Sequence, residues 1–389
     1  MTRTGGPGGK GRLVYVTYQT IREGQAGHTH AVNVVRGLEA LGWEVRFIHP
    51  GQGRFAPAKF IAIPVRAAGW LLAGKGDAVY LRGHFLALPV SVLARILQRP
   101  VFHEINGLVD EVRQTHPGFA FAIPLFARLL RLQLKSAAAV FPVTENLRRH
   151  VVDAFGATPG RVTVVGNGVD ANLFRPSVRP EIQAKYGVSG FPYGFFEGAL
   201  APWQGLRTLV DAFAVFRQAA PENPDTPSLV IAGSGQEGAY LSKCAGQYRW
   251  LKWLGHVPQA DLPPLISAAR YCFCPMEASP RNRITGLSPI KLYEYMACAA
   301  PVIATDIPGQ SDEVLAAECG VVVPPGDVFA LSAAIRALHD RPETARRLGE
   351  NGRRAVLERH TWRHRAEQLD EVMSKALSGR TGGAGRHEP

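Results

Sequence analysis

Short runs rich in Val, Ile, Leu and Phe alternate along this chain with longer stretches whose apolar residues recur every three or four positions. The first kind predicts strands buried on both faces, the second amphipathic helices, and their alternation marks βαβ units and parallel sheets. In the first half the strand-length runs are Leu13–Thr17, Glu44–Ile48, Ala78–Leu81, Pro100–His103, Ala139–Val143 and Val162–Val165, with helical patterns such as His28–Leu41 and Glu145–Phe155. In the second half they are Tyr193–Phe196, Ser228–Ala232, Trp250–Leu254, Tyr271–Cys274, Val302–Ala304 and Val321–Val323, separated by helices such as Leu206–Ala219 and Phe329–Leu338.

Between the halves, Phe174–Pro192 is rich in Pro and Gly and reads as a linker; beyond Arg341-Pro342 the pattern is helical to about Leu377. The expected fold is α/β: two doubly wound, Rossmann-like domains facing across a cleft. Its parts are a Gly-rich tail over 1–11, a first domain over 12–175, a linker over 176–192, a second domain over 193–355, a helix over 356–377 that crosses back to the first domain, and a polar tail over 378–389. In open parallel sheets ligands sit at the carboxyl ends of the strands, so the cleft is the expected site.

Composition narrows the class. With 389 residues, 46% hydrophobic and 20% charged, two globular domains are expected and disorder is confined to the tips. No apolar run reaches the roughly 18–20 residues a membrane span needs, and the N-terminus lacks a signal-peptide core. Five cysteines, an odd number lying mostly in apolar runs, indicate reduced thiols in a cytosolic protein. Cys272 and Cys274 are expected on opposite faces of one strand with no second Cys/His cluster beside them, so they read as buried small hydrophobes rather than metal ligands. The net charge of +12 points to an anionic partner. The Arg-rich spots at 148–149, 346–347, 353–354 and 363–365 fall on predicted helices, however, where they read as solvated faces, and no nucleic-acid-binding module is recognisable.

Three segments carry candidate chemistry. Gly233-Ser234-Gly235-Gln236-Glu237-Gly238 fits G-x-G-x-x-G after the strand SLVIA, but the next strand ends in Gly255-His256 without the ribose-binding acid of a nicotinamide site, which favours a plain glycine turn. The loop YQTIREGQAG, with Gly24 and Gly27, leads into a helix N-terminus that suits a diphosphate. In TGLSPIKLYEYMA, Ser288 is expected to cap a helix whose first residue is Pro289, with Ile290, Tyr293 and Ala297 on a buried face and Lys291 and Glu294 on another. That second face suits either a nucleoside diphosphate, with phosphates on the cap and lysine and ribose on the glutamate, or an ordinary ion pair.

Taken in order, "LEALGWEV", "VFPVTENLRRHVVDAFG", "RVTVVGNGVDANLFRP", "FEGALAPWQGLRTLVDAF", "LVIAGSGQEGAYL", "WLGHVPQADLPPLISAARYCFCP" and "GLSPIKLYEYMACAAPVIATDIPG" resemble glycosyltransferase family 4, retaining enzymes of the GT-B fold, from about Arg12 to Leu377. The resemblance implies that Glu294 holds the donor ribose and that the Gly286-Leu287-Ser288 backbone faces sugar and phosphates. It further implies that the main chain at His256-Val257 reads the base, that Gly198 and Gln204 lie on the donor side, and that Gly27 approaches the diphosphate. No cofactor and no metal are implied.

Two departures stand out. The family's E-x7-E would put its first carboxylate at Gly286, and its phosphate-binding Arg and Lys would fall at Ala199 and Gln204. Lys291, aided by Arg281 and Arg283, is the expected substitute. In the first domain His103, Glu104 and Asn106 of VFHEINGLVDE, with Arg82, are the acceptor-side candidates, Glu104 also being a catalytic candidate. The function implied is transfer of a sugar from a nucleoside diphosphate sugar to a glycan or lipid-linked acceptor, in the cytoplasm or at the inner face of an anionic membrane. An inactive partner of an active transferase, a nucleotide-sugar epimerase and a nicotinamide oxidoreductase are the alternatives.

Overall fold

The computed structural model describes residues 9–19, 26–51, 57–109, 117–219 and 224–381. Gly24 and most of both predicted tails lie outside these residues. The chain forms two compact units, one running to Asn167 and resuming at Trp362, the other spanning Gly168–Thr361.

In the first unit β1 (Gly11–Val16), β2 (Trp43–Ile48), β3 (Ala78–Arg82), β4 (Val101–Ile105) and β5 (Ala139–Pro142) form a wholly parallel sheet ordered β2-β1-β3-β4-β5. β3 and β4 are buried along their whole length, whereas edge strand β2 exposes Glu44. Burial on both faces makes the central runs mostly apolar, and the polar residues they carry, Arg82, His103 and Glu104, lie toward their carboxyl ends. Val14, Val16, Val79 and Leu81 pack with Ile63, Ala67 and Ala94 of the flanking helices, while Tyr15 and Tyr80 stack at 4.8 Å on the other face. The final helix, Trp362–Thr381, packs along the first, Ala26–Ala40. Gly37 permits that approach, since a Cβ there would lie 2.6 Å from that of Ala366.

The strand expected over Val162–Val165 is reduced to one bridge, Val140 with Val162. Thr163 and Val165 donate N–H bonds to the Val140 and Pro142 carbonyls, but Pro142 has no N–H to return one, so the ladder stops.

In the second unit β6 (Tyr193–Glu197), β7 (Ser228–Ala232), β8 (Leu251–Trp253), β9 (Tyr271–Cys274), β10 (Val302–Thr305) and β11 (Gly320–Val323) form a parallel sheet ordered β11-β10-β9-β6-β7-β8. Two hydrophobic layers cover it, and the strands feed them alternately. Phe195, Val230, Cys272, Cys274, Val302 and Ala304 enter one, and Phe196, Ile231, Tyr271, Phe273 and Ile303 the other. Cys272 and Cys274 therefore share a face, contrary to the expectation above, because residues two apart on a strand point the same way. All five cysteines are free and buried, and burial pushes Cys274 up to about 12.

The division between units falls at Gly168, earlier than the sequence boundary, and the supposed linker belongs to the second unit, where Pro180–Lys185 forms a helix and Val188 joins the core. The C-terminal helical stretch is likewise broken. Pro342–Ala355 and a π-helical stretch over Val356–His360 stay with the second unit, and the chain restarts as an α-helix at Trp362.

Candidate functional site

The second unit concentrates its candidate residues where β6 and β9 end. The helix Ile290–Ala297 begins one residue later than expected, with Pro289 at the cap position and no side-chain cap. Ser288 instead lies 3.1 Å from the Tyr293 hydroxyl. Nor is the helix two-faced. Every residue from Lys291 to Ala297 is buried, while Ile290 is only half-buried. Leu292, Tyr293, Tyr295 and Met296 all join the core, and Tyr293 stacks on His360 at 5.1 Å. An eight-residue helix packed on several sides hides both its charges.

Lys291 is 8% exposed, and its Nζ makes its one hydrogen bond among the described residues to a neutral group, Gln204 Oε1, at 2.8 Å. The ammonium lies 3.9 Å from the centre of the Phe196 ring and against Gly198, whose Cβ, if present, would sit 2.7 Å from Nζ. Burial pulls Lys291 below its ordinary pKa, opposed by the charges of Glu197 and Glu294. The fold thus brings Gln204, 87 positions away in sequence, to the predicted substitute cation.

Glu294, 6% exposed, is held well above the usual carboxylate range, first by burial and then by the charge of Glu197 and a hydrogen bond with its side chain. Two carboxyls sharing a proton favour the protonated form of one. Gln259 Nε2 reaches Glu294 Oε1 at 3.5 Å, and the Glu197 N–H donates to the Tyr295 hydroxyl at 2.9 Å. Glu197 escaped the sequence reading. Its only signal was a carboxylate closing the run YGFFE.

The neighbouring loops are tied to protein. Gly286 adopts φ 62°, a left-handed conformation that disfavours the glutamate of E-x7-E. Its N–H donates to the Asn282 carbonyl, and that of Leu287 to the Pro308 carbonyl. Arg281 Nη1 bonds Asn282 Oδ1 at 3.3 Å, and Arg283 is exposed near the Ala278 carbonyl. His256 is exposed, while the Val257 side chain enters the core. The G-x-G-x-x-G turn is filled by backbone. A Cβ on Gly233 would lie 1.9 Å from the Gly198 carbonyl and one on Gly235 2.6 Å from that of Leu200. Leu200 N–H donates to Ser234 and Glu237 N–H to Leu200, so these glycines support the Gly198 loop rather than cradle a pyrophosphate.

The first unit holds a buried ionic cluster at the carboxyl ends of β3 and β4. Register pairs Arg82 with Glu104, placing both on one face. Glu104, 2% exposed, lies 2.8 Å from His30 Nε2 and 3.4 Å from Arg82 Nε, both close as ion pairs though poorly aligned as hydrogen bonds. It accepts hydrogen bonds from Tyr80 at 2.8 Å and from Asn106. Burial alone would raise its pKa, but His30 and Arg82 overcome this and hold Glu104 at about 2. Arg82 Nη1 donates to the Gly27 carbonyl at 2.9 Å, so the cluster anchors the start of the first helix. His30 Nδ1 meets Asn167 Oδ1 at 2.6 Å. His30, Tyr80 and Asn167 were not singled out in the sequence because distant segments bring them together. His103, the neighbour of Glu104, points to the other face. It is fully buried, neither ring nitrogen has a hydrogen bond among the described residues, and burial lowers it to about 3. It does not join the other acceptor-side candidates.

Among the described residues no group of three His, Cys, Asp or Glu is arranged to hold a metal, and no helix is long and apolar enough to cross a membrane.

A family model described as "Glycosyltransferase Family 4" matches residues 27–173, and one described as "Glycosyl transferases group 1" matches 178–355. Alpha-maltose-1-phosphate synthase of Mycolicibacterium smegmatis is 29% identical over 264 residues, covering 63% of this chain and 65% of that protein. GDP-mannose-dependent alpha-(1-6)-phosphatidylinositol monomannoside mannosyltransferase of the same organism is 28% identical over 262 residues, covering 65% of this chain and 66% of its own. The match thus spans about two thirds of the length of these relatives. The crystal structure of Anabaena HepE in complex with UDP superposes with a TM-score of 0.70 at 19% identity, over 94% of this chain and 100% of that one, a likeness of fold.

Proposed function

This chain belongs to glycosyltransferase family 4, with the GT-B fold, and from that premise we propose that it transfers a sugar from a nucleoside diphosphate sugar to a hydroxyl acceptor with retention of anomeric configuration. The observation that carries this reading is Lys291, a buried ammonium whose only hydrogen-bond partner among the described residues is a neutral amide. A desolvated cation without a bonded counter-ion favours an incoming anion. In this reading the leaving diphosphate supplies it. The bond from the anomeric carbon to the diphosphate breaks, a bond to the acceptor oxygen forms on the same face, and the acceptor proton passes to a departing phosphate oxygen. Lys291 and the N–H groups at the start of its helix meet the charge that develops, with Arg281 and Arg283 contributing and no metal taking part.

Glu294 accepts the ribose hydroxyls, Gln204 and Gly198 set the position of Lys291, and the main chain at His256-Val257 faces the base. Arg82, Glu104 and Asn106 serve the acceptor side, Glu104 by holding Arg82 and through it the Gly27 carbonyl. The acceptor is a glycan or lipid-linked hydroxyl. Ile61, Val65 and Leu72, exposed on one face of the helix Pro57–Leu72, support peripheral contact with an anionic membrane.

Calorimetry with UDP, GDP, ADP and dTDP tests the reading. One should bind, and Lys291→Ala should weaken it. An inactive partner of a transferase, which Ala199 and Gly286 favour, should bind none, and that result would sink the proposal.

A further inference from the structure

A cavity of about 470 Å³ opens at the amino edge of the first sheet. Arg95 comes from the helix Leu88–Ile96, Arg99 from the turn after it, and Arg161 from the turn Pro159–Arg161. Val101 at the start of β4, Ala137 ahead of β5 and Ala376 of the last helix complete the wall. The cavity is remote from the ionic cluster of the same unit. Glu104 lies three residues further along β4, roughly 10 Å at the rise of a strand.

The charges around this cavity do not balance. No carboxylate among the described residues lines it, and Asp77, which approaches Arg99, is already held by Arg12 with two bonds, Nε at 3.1 Å and Nη2 at 2.9 Å. Arg99 stands 3.8 Å from the same carboxylate, outside hydrogen-bond reach. Among the described residues the Arg161 guanidinium bonds only a neutral group, the Ala137 carbonyl, at 3.3 Å. The Arg95 side chain has neither a hydrogen bond nor an ion pair among the described residues. Among the described residues, Arg95 and Arg161 therefore border one concave space with no carboxylate of their own, and Arg99 shares Asp77 with Arg12.

Local backbone bonds place two of them. After the helix, Gln98 donates to the Arg95 carbonyl and Arg99 to that of Ala94, with Gln98 at φ 55°. This tight left-handed turn brings Arg95 and Arg99 to the same wall. Like charges gathered in a concavity raise the local concentration of anions, and planar guanidinium forks match phosphate oxygens in pairs. The volume falls within the range of small-molecule sites and exceeds what a monatomic ion fills.

We propose that this cavity is a second anion site, which binds a phosphate-bearing ligand of diphosphate or sugar-phosphate size through Arg95, Arg99 and Arg161, independently of the donor site. A soluble phosphate ester and a phospholipid headgroup offer the same chemistry, and the experiment separates them.

Inorganic pyrophosphate is titrated calorimetrically into the full chain. The wild type should bind at least one equivalent, one of them at this cavity. Arg95→Ala/Arg161→Ala should bind it at least tenfold more weakly there, while Lys291→Ala, altered only at the donor site, should bind it there as the wild type does. Arg95→Lys/Arg161→Lys keeps the charge but loses the forks, and it should fall between. A melting temperature matching the wild type shows that the double variant is folded. In parallel, flotation with phosphatidylglycerol and phosphatidylcholine vesicles identifies the source. If the double variant loses anionic-vesicle binding tenfold while pyrophosphate gives no heat with the wild type, the headgroup is the ligand. Pyrophosphate binding that Lys291→Ala removes, pyrophosphate binding that the double variant retains alongside unchanged vesicle binding, or no pyrophosphate heat together with unchanged vesicle binding would overturn the proposal. The double variant's affinity for UDP reports separately on the donor site, so the two readings fail independently.

Discussion

Replacing Glu104 by Gln removes one negative charge from a cluster with almost no access to water. Glu104 is 2% exposed and Arg82 7%, so bulk solvent screens their interaction little. Holding the carboxyl at about 2 instead of its ordinary 4.5 corresponds to about 3 kcal/mol of stability at neutral pH. An independent expectation agrees. Removing one partner of a buried ion pair costs about 3–5 kcal/mol, and the low end applies because glutamine can still accept from Tyr80. The folded-state value is depressed, so this stability is fully present above the unfolded value and is lost as pH falls toward about 2. About 1 kcal/mol should be gone by pH 4 and about 2 by pH 3. His103, lowered to about 3, also makes the protein acid-labile, but wild type and variant share it and it cancels in their difference. Because the chain has two units, hydrogen exchange of the Val101–Ile105 amides is a better readout than global melting. At pH 7 their protection should drop about 150-fold, and the gap should narrow toward pH 3. Equal protection at pH 7, or a gap that does not change with pH, would refute the ionic account of this cluster.

Lys291→Ala should lower kcat by about 10²–10³ in a transfer assay with the donor that binds, the range for losing one group that stabilises developing charge. Its melting temperature should not fall, because burial disfavours the ammonium it removes. Glu294→Gln should raise the stability of the second unit at neutral pH. The folded value of Glu294 lies above 4.5, so the wild type is stabilised at low pH and loses that contribution as pH rises through the raised value, whereas glutamine does not titrate; melting curves at pH 5 and pH 8 should show the variant's advantage growing, and a constant difference would contradict the shared proton. Gly233→Ala should destabilise by about 2 kcal/mol or more, since φ is 135° and a Cβ would lie 1.9 Å from the Gly198 carbonyl; normal melting in that variant would restore the turn as a candidate ligand loop.

Part of the candidate site's arrangement was legible in the primary structure and part was not. TGLSPIKLYEYMA pointed to Lys291 and Glu294 through two charges in an apolar run, and the departure at Gln204 named the residue that now receives the lysine. The pattern could not show that Gln204 and Lys291 meet, that Glu197 presses on Glu294, or that His30, Tyr80 and Arg82 converge on Glu104. It put Lys291 and Glu294 on a face apart from the buried one, and it counted His103 with Glu104 although adjacent strand residues point to opposite faces.

The sequence by itself determined the parallel α/β class and the position of most elements, because strand and helix periodicity, Pro and Gly are local properties of consecutive residues. Only the tertiary structure decided the strand orders, the unit boundary at Gly168 and the ionic partners. The physical reason is that burial, and with it the strength of every charge, depends on neighbours tens to hundreds of positions away.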